Sequence, residues 1–163
     1  MAGTTDIGSD TPAIVDGRQS ARALQIQRGA CRYLRALGFA TVTELNLASG
    51  HRADIVALGR KGEIWIIEIK SSVEDFRSDS KWPAYQDHCD RLYFAVLDDL
   101  PLDILPAQTG IIVADRFGAA VIREAPDEPL AAARRKAVQL RFARAAALRL
   151  HALVDPDAAS AAI

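Results

Sequence analysis

"HRADIVALGRKGEIWIIEIKSS", His51 to Ser72, decides the fold, because it reads as two strands joined by a glycine-bracketed turn and followed at once by a helix start. His51 to Leu58 has the composition of a strand. Ile64 to Ile67 places four apolar residues in a row, as a central strand covered on both faces does. Glu68 and Lys70 follow two residues apart, so their side chains leave one face of the strand roughly 6 to 7 Å apart. A strand this apolar that ends in two opposite charges needs a reason.

The register of the hairpin decides whether Asp54 joins them. A two-residue turn at Arg60 and Lys61 would set Asp54 opposite Ile67, on the wrong pleat. A one-residue bulge corrects this, and Gly59 and Gly62 stand where such a bulge needs positive φ, so Asp54 is expected near Glu68. Beyond Lys70, Ser71 and Glu74 have the spacing of a capping box, which predicts a helix start there.

Outward from this hairpin, Arg18 to Phe39 has helical periodicity. Ala23, Ile26, Ala30, Tyr33, Leu34 and Leu37 share one face, and Gly38 is the expected stop. Arg18, Arg22, Arg28, Arg32 and Arg35 gather opposite, within an arc of about 140°. Ala40 to Leu47 reads as a first strand, Arg91 to Leu97 as a fourth and Gly110 to Ala114 as a fifth. Ala119 to Glu124 reads as a short edge strand and Leu130 to Leu153 as a last helix. The order predicts an α/β fold, a mixed central sheet flanked by helices, with an αβββαβ core and a C-terminal hairpin and helix. Residues 17–154 form the expected single domain, between flexible tails at 1–16 and 155–163.

Half of the 163 residues are apolar, enough for one ordinary core. No run approaches the roughly 18 apolar residues a membrane span needs, and the first ten residues lack a leader pattern, so a cytoplasmic protein with no membrane partner is expected. Cys31 and Cys89 have no metal-finger or disulfide spacing and read as buried, reduced thiols. The net charge of −1 hides an uneven distribution. Residues 17–43 hold five arginines and no acid, and residues 130–154 hold six bases and no acid; between them are sixteen acids and nine bases. Basic elements of this kind are either solvated helix faces or contacts to a phosphate backbone.

Two carboxylates beside a lysine suit phosphodiester hydrolysis. Asp54 and Glu68 can offer hard oxygen ligands to a divalent cation, Mg²⁺ first and Mn²⁺ as the alternative. Lys70, one of only four lysines against sixteen arginines, can orient a water or stabilise charge on phosphate. No Gly-rich phosphate loop, G-x-S-x-G elbow or H-E-x-x-H is present.

Asp54 followed across the hairpin by Glu68-Ile69-Lys70 resembles the signature of the PD-(D/E)XK nuclease superfamily. The longer stretches "GHRADIVAL" and "IWIIEIKSSVEDFRSDSKWPAYQDHCDRLYFAV" resemble the MmcB-type DNA repair proteins of bacteria, a likeness running from about Gln19 to Leu150. The resemblance implies a restriction-endonuclease-like fold and a metal-dependent DNA nuclease acting in repair. It assigns Asp54 and Glu68 to the metal, the Ile69 carbonyl to the same ion, and Lys70 to catalysis.

Two positions depart from the pattern. Ala53 stands where the signature has proline, and the first helix carries no Glu. Glu44 is the candidate replacement, although Val42, Glu44 and Asn46 share a pleat that can instead face solvent. Lys81 and Tyr85, four apart on a helix, are expected substrate contacts, with His51, Arg22, Arg28, Arg32 and Arg35. Asp75, Asp79 and Asp87 read as caps and solvated charges. Expected partners are DNA, other repair proteins and a second copy of the chain. The alternatives are a catalytically weak or inactive DNA-binding accessory with the same fold, and an RNA-processing nuclease, since the site chemistry does not tell ribose from deoxyribose.

Overall fold

Ser20 opens the first helix with extended backbone, its hydroxyl accepting the Ala23 N–H that the helix start leaves over. The computed structural model describes residues 20–160, so the expected N-terminal tail and Arg18 lie outside them. The helix, α1, spans Ala21–Ala36 and stops at Gly38, which takes φ +90°. Its buried stripe is Ile26, Gly29, Ala30 and Leu34. Leu37, expected on that stripe, is the C-cap residue and lies half exposed, because the helix has already ended.

Six strands follow: β1 (Ala40–Asn46), β2 (Arg52–Leu58), β3 (Ile64–Ile69), β4 (Arg91–Val96), β5 (Gly110–Ala114) and β6 (Ala119–Arg123). They form one sheet in chain order. The β1–β2, β2–β3 and β5–β6 pairs are antiparallel, and β3, β4 and β5 run parallel. The remaining helices are α2 (Val73–Ser78), α3 (Trp82–Tyr85) and α4 (Ala132–Val154). This is the mixed α/β architecture the element order predicts. Pro156–Ser160, expected in a flexible tail, carries a short 3-10 helix.

The alternation of the strands sorts the core into two faces. Ile67, Ile69, Tyr93, Ala95 and Ile112 pack with Ile26, Ala30 and Leu34 under α1. On the opposite face Ile64, Ile66 and Leu92 pack with Val138 and Phe142 of α4. Phe94 and Val96 share that face, with Phe76 and Trp82 packed against them. Each fully buried side chain of this size contributes about 1.5 to 3 kcal/mol. With both faces covered, β3 and β4 can be apolar throughout, and only their ends can carry charge. At Gly29, α1 meets the β5–β6 turn so closely that an added Cβ would lie 1.8 Å from the Asp115 carbonyl oxygen.

The β2–β3 hairpin has the expected offset. Leu58 pairs with Ile64 and Ile55 with Ile67, so the chain reaches Asp54 and Glu68 on opposed positions. The Gly59 N–H donates to the Glu63 carbonyl and the Gly62 N–H to the Gly59 carbonyl, which leaves a three-residue loop with Gly62 at φ +87°.

Two local expectations need correction. The cap of α2 is Ser72, not Ser71: Ser72 is extended and its hydroxyl accepts the Asp75 N–H, while Asp75 reaches back to the N–H and hydroxyl of Ser71. Val42, Glu44 and Asn46 do not share one pleat either. Glu44 takes φ +52°, which breaks the alternation and puts Val42, Leu45 and Leu47 together in the core under α4. Arg149 of α4 donates to the carbonyls of Thr43 and Glu44 on either side of that break.

A residue without a sequence signal fastens the C-terminal helix. Asp90, buried at the start of β4, accepts from the Ile64 and Leu130 amides and from both terminal nitrogens of Arg135, at 2.6 to 2.8 Å. Cys31 and Cys89 are free thiols; Cys89 is buried as expected, whereas Cys31, on α1, is only partly so. Among the described residues no helix is long and apolar enough to cross a membrane.

Candidate active site

The β2–β3 ladder stops at Ile55–Ile67, and side chains take over from backbone beyond it. The Asp54 N–H donates to Glu68 Oε1 at 3.0 Å, and the Ile69 N–H donates to Asp54 Oδ2 at 2.8 Å. This reciprocal clasp holds the strands apart by a side chain's width and sets the two carboxylates beside each other. Among the described residues no other hydrogen bond engages Asp54 Oδ1 or Glu68 Oε2.

Asp54, Glu68, Ile69 and Lys70 line one cleft of about 420 Å³, together with Arg52, Ser71, Asp75, Asp79, Lys81 and Tyr85, and with Ser20 and Ala23 from the start of α1. Glu68 and Lys70 are buried at its floor, only 4% and 6% exposed. Burial pushes the Asp54 carboxyl above its ordinary range, against the pull of the Ile69 amide and Lys70. Burial, and then the neighbouring Asp54, push Glu68 well above its own. Two acids this close and this dry resist carrying two negative charges without a cation between them.

Lys70 is held rather than loose. Its Nζ lies 2.6 Å from Asp79 Oδ2, and Asp79 Oδ1 accepts the Lys81 N–H at 2.7 Å. Asp79 is therefore no solvated charge: burial would raise its pKa, but the Lys70 bond and the Lys81 amide hold it below the ordinary range. Asp75 also lines the cleft, fixed by Ser71. The missed signal for Asp75 was the helix cap itself: once Ser72 is the cap, Asp75 turns back to Ser71 at the edge of the cleft, while Asp79, just past the end of α2, meets Lys70.

The other candidates divide. Lys81 and Tyr85 line the cleft, but Lys81 is the N-cap of α3 and not part of its face, and the Tyr85 hydroxyl donates to the Arg52 carbonyl at 2.9 Å. The His51 ring sits 6.0 Å from the Tyr85 ring and does not line the cleft. Glu44 does not line it either; its carboxylate faces Arg52 at 3.6 Å. Arg22 is committed to the Ser71 carbonyl and to Asp99, at 3.0 and 2.6 Å. Arg32 donates to the Arg116 carbonyl. Arg28 and Arg35 are exposed, but the helical rise carries Arg35 about 20 Å from Arg22, away from the cleft.

The donor set suits a hard cation. It consists of carboxylate oxygens with the Ile69 carbonyl adjacent in the chain, and it contains no thiol or imidazole. Among the described residues no three His, Cys, Asp or Glu side chains cluster to hold a metal. Such a site relies on two carboxylates, backbone and water, as Mg²⁺ sites commonly do.

The sequence matches a family model for MmcB-like DNA repair proteins over residues 10–157. Among curated proteins none matches the chain. A solved structure described as the SPO1766 protein of unknown function from Silicibacter pomeroyi superposes with a TM-score of 0.82 at 46% identity, covering 85% of this chain and 94% of that one. A family match over nearly the whole chain, on a fold that carries the hairpin signature at its cleft, leads to one conclusion: the chain belongs to the MmcB-like family of DNA repair proteins.

Proposed function

We propose that the protein is a metal-dependent DNA nuclease that hydrolyses phosphodiester bonds in repair. The observation that carries this reading is the clasp of Asp54 and Glu68, which opens a half-buried and a buried carboxylate onto the same cleft as Lys70. A charge deficit of this kind is costly in a purely structural role, where a hydrophobic pair would serve better.

Asp54 Oδ1, Glu68 Oε2 and the Ile69 carbonyl are the atoms that would hold the ion. A divalent cation there supplies charge neutralisation for the phosphate and a more acidic bound water. Lys70 is the chain's own electrophilic group: its ammonium stands on the face of β3 that carries Glu68, where it can hydrogen-bond a phosphate oxygen or the attacking water. Asp79 fixes that ammonium in place. Lys81 at the rim would contact the flanking backbone.

The test is cleavage of plasmid, nicked, branched and single-stranded DNA, and of RNA, with Mg²⁺ or Mn²⁺ and then with EDTA. Metal-dependent cleavage lost in Asp54→Ala and Lys70→Ala is the expected result. Absence of cleavage on every substrate would leave the DNA-binding accessory as the reading, and cleavage of RNA alone would make the protein an RNA-processing nuclease.

A further inference from the structure

The last helix packs one side on the sheet and leaves a second apolar side in water. Val138 and Phe142 of α4 are buried, whereas Leu140, Leu148, Leu150, Leu153 and Val154 are between 55% and 77% exposed. These are five of the nine large hydrophobic side chains exposed among the described residues, so the exposure is gathered on one helix and not scattered. Within it, Leu140, Ala143, Ala147, Leu150 and Val154 recur at alternating spacings of three and four, all of them exposed. That is the seam of a helix built to lie along another helix, and it runs for about 21 Å.

The charges beside the seam indicate the kind of helix that fits. Of the six bases on residues 130–154, Arg134 pairs with Asp87, Arg135 with Asp90, and Arg149 with the Thr43 and Glu44 carbonyls. Lys136, which continues the seam line one turn before Leu140, and Arg144, which flanks it, are exposed and make no ion pair or side-chain hydrogen bond among the described residues; Arg141, likewise exposed and unpaired, lies farther round the helix. We propose that this seam is a docking site for an amphipathic helix of a partner protein, one whose apolar stripe is bordered by Asp and Glu.

Other occupants fit less well. A second copy would bring the same cations, Lys136 and Arg144, together with no acid on either seam to meet them. DNA would account for the cations but not for the exposed leucines. A lipid surface favours bulky and aromatic side chains. Here Ala143 and Ala147 make a shallow valley between Leu140 and Leu150, and a side chain from a facing helix fills such a valley.

The probe is a synthetic three-heptad peptide with Leu at the seam positions and Glu beside them, labelled and titrated with the full chain by fluorescence anisotropy. A scrambled peptide of the same composition is expected to bind at least roughly tenfold more weakly. Leu140→Ser with Leu150→Ser should weaken binding by a similar factor, and Leu140→Met with Leu150→Met should retain it; circular dichroism checks that both fold. Lys136→Glu with Arg144→Glu should weaken binding and flatten its salt dependence. Equal binding of the scrambled peptide would overturn the proposal. So would a concentration-dependent dimer in sedimentation that the serine pair disperses, or anionic vesicles or duplex DNA bound through the same leucines.

Discussion

Asp54 and Glu68 are bound to each other through backbone as well as brought together in space: the Asp54 amide donates to the Glu68 carboxylate at 3.0 Å, on the first residues past the β2–β3 ladder. Each acid thus takes part in a structural hydrogen bond and keeps one oxygen for the cleft. The arrangement explains how a strand buried on both faces ends in charge without an unsatisfied polar atom, for none is found among the described buried side chains.

The clasp makes metal-free stability depend on pH in a direction opposite to ordinary paired acids. Burial raises Asp54, and burial with Asp54's charge raises Glu68 well above its usual value. The unfolded chain therefore loses these protons first, and stability falls as pH rises from the ordinary carboxylate range, about 4.3 for Glu, through the folded values. Glu68→Gln keeps the oxygen that accepts from Asp54 and removes the charge. In EDTA at neutral pH it should stabilise the fold by about 1 kcal/mol, roughly 2 to 4 °C in Tm. Mg²⁺ should raise the Tm of the natural chain and not that of the variant. Thermal melts from about pH 5 to about pH 8 check this; a variant that melts lower than the natural chain in EDTA would show that the pair is not strained.

Asp79 holds the Lys70 ammonium on one oxygen and the Lys81 amide on the other, so its removal has a distinct signature. Asp79→Asn leaves a hydrogen-bonding group against the ammonium at the end of α2 but takes away the ion pair. In the cleavage reaction proposed above, kcat should fall roughly tenfold with KM unchanged, the order expected when an orienting partner is lost. Asp79→Glu should recover part of the rate. Adding Asp79→Asn to Lys70→Ala should change nothing more, because the two residues act as one unit.

What could be read from the chain follows from which rules are local. The strands were legible because apolar runs and glycines mark them, and the Asp54–Glu68 offset because Gly59 and Gly62 bracket the turn. The capping residue was misplaced by one because Ser71 and Ser72 both have an acid three residues on, Glu74 and Asp75, and only the path of β3 selects the second. Asp79 and Asp90 were invisible for a related reason. Their partners are brought to them by the packing of α2 and α4: Lys70 lies nine residues from Asp79 across the turn out of β3, and Arg135 lies 45 residues from Asp90, and no local pattern records either contact. The pleat of Glu44 is not legible because simple alternation assumes negative φ throughout β1, and its +52° breaks the count.

The Asp90–Arg135 pair gives a stability prediction that owes nothing to catalysis. Asp90→Ala strands the Arg135 guanidinium and the amides of Ile64 and Leu130, and should cost about 3 kcal/mol, the lower end for a broken buried pair since Arg135 is partly solvated. Burial alone would raise the Asp90 carboxyl, yet Arg135 and the two amides hold it below its usual value. Its contribution is therefore complete above the unfolded value of about 3.9 and is lost as pH falls through the folded one. Urea melts at neutral and acid pH should show the natural chain and the variant converging only in acid.

Gly62 tests whether the turn sets the site. Its φ of +87° closes the three-residue loop that puts Asp54 opposite Glu68, whereas a two-residue turn at Arg60 and Lys61 would put Asp54 opposite Ile67. Gly62→Asn can keep the left-handed conformation, although its Cβ must displace Gln139 Nε2, which lies 3.0 Å from that position. Gly62→Val cannot adopt it without a cost of about 1 to 2 kcal/mol. Stability should therefore fall in the order Gly, Asn, Val, and Mg²⁺-induced stabilisation should survive in Asn and be lost in Val, whose strands gain by slipping. Equal metal responses in Asn and Val would mean that the Asp54–Glu68 clasp holds the register by itself, with the turn following it.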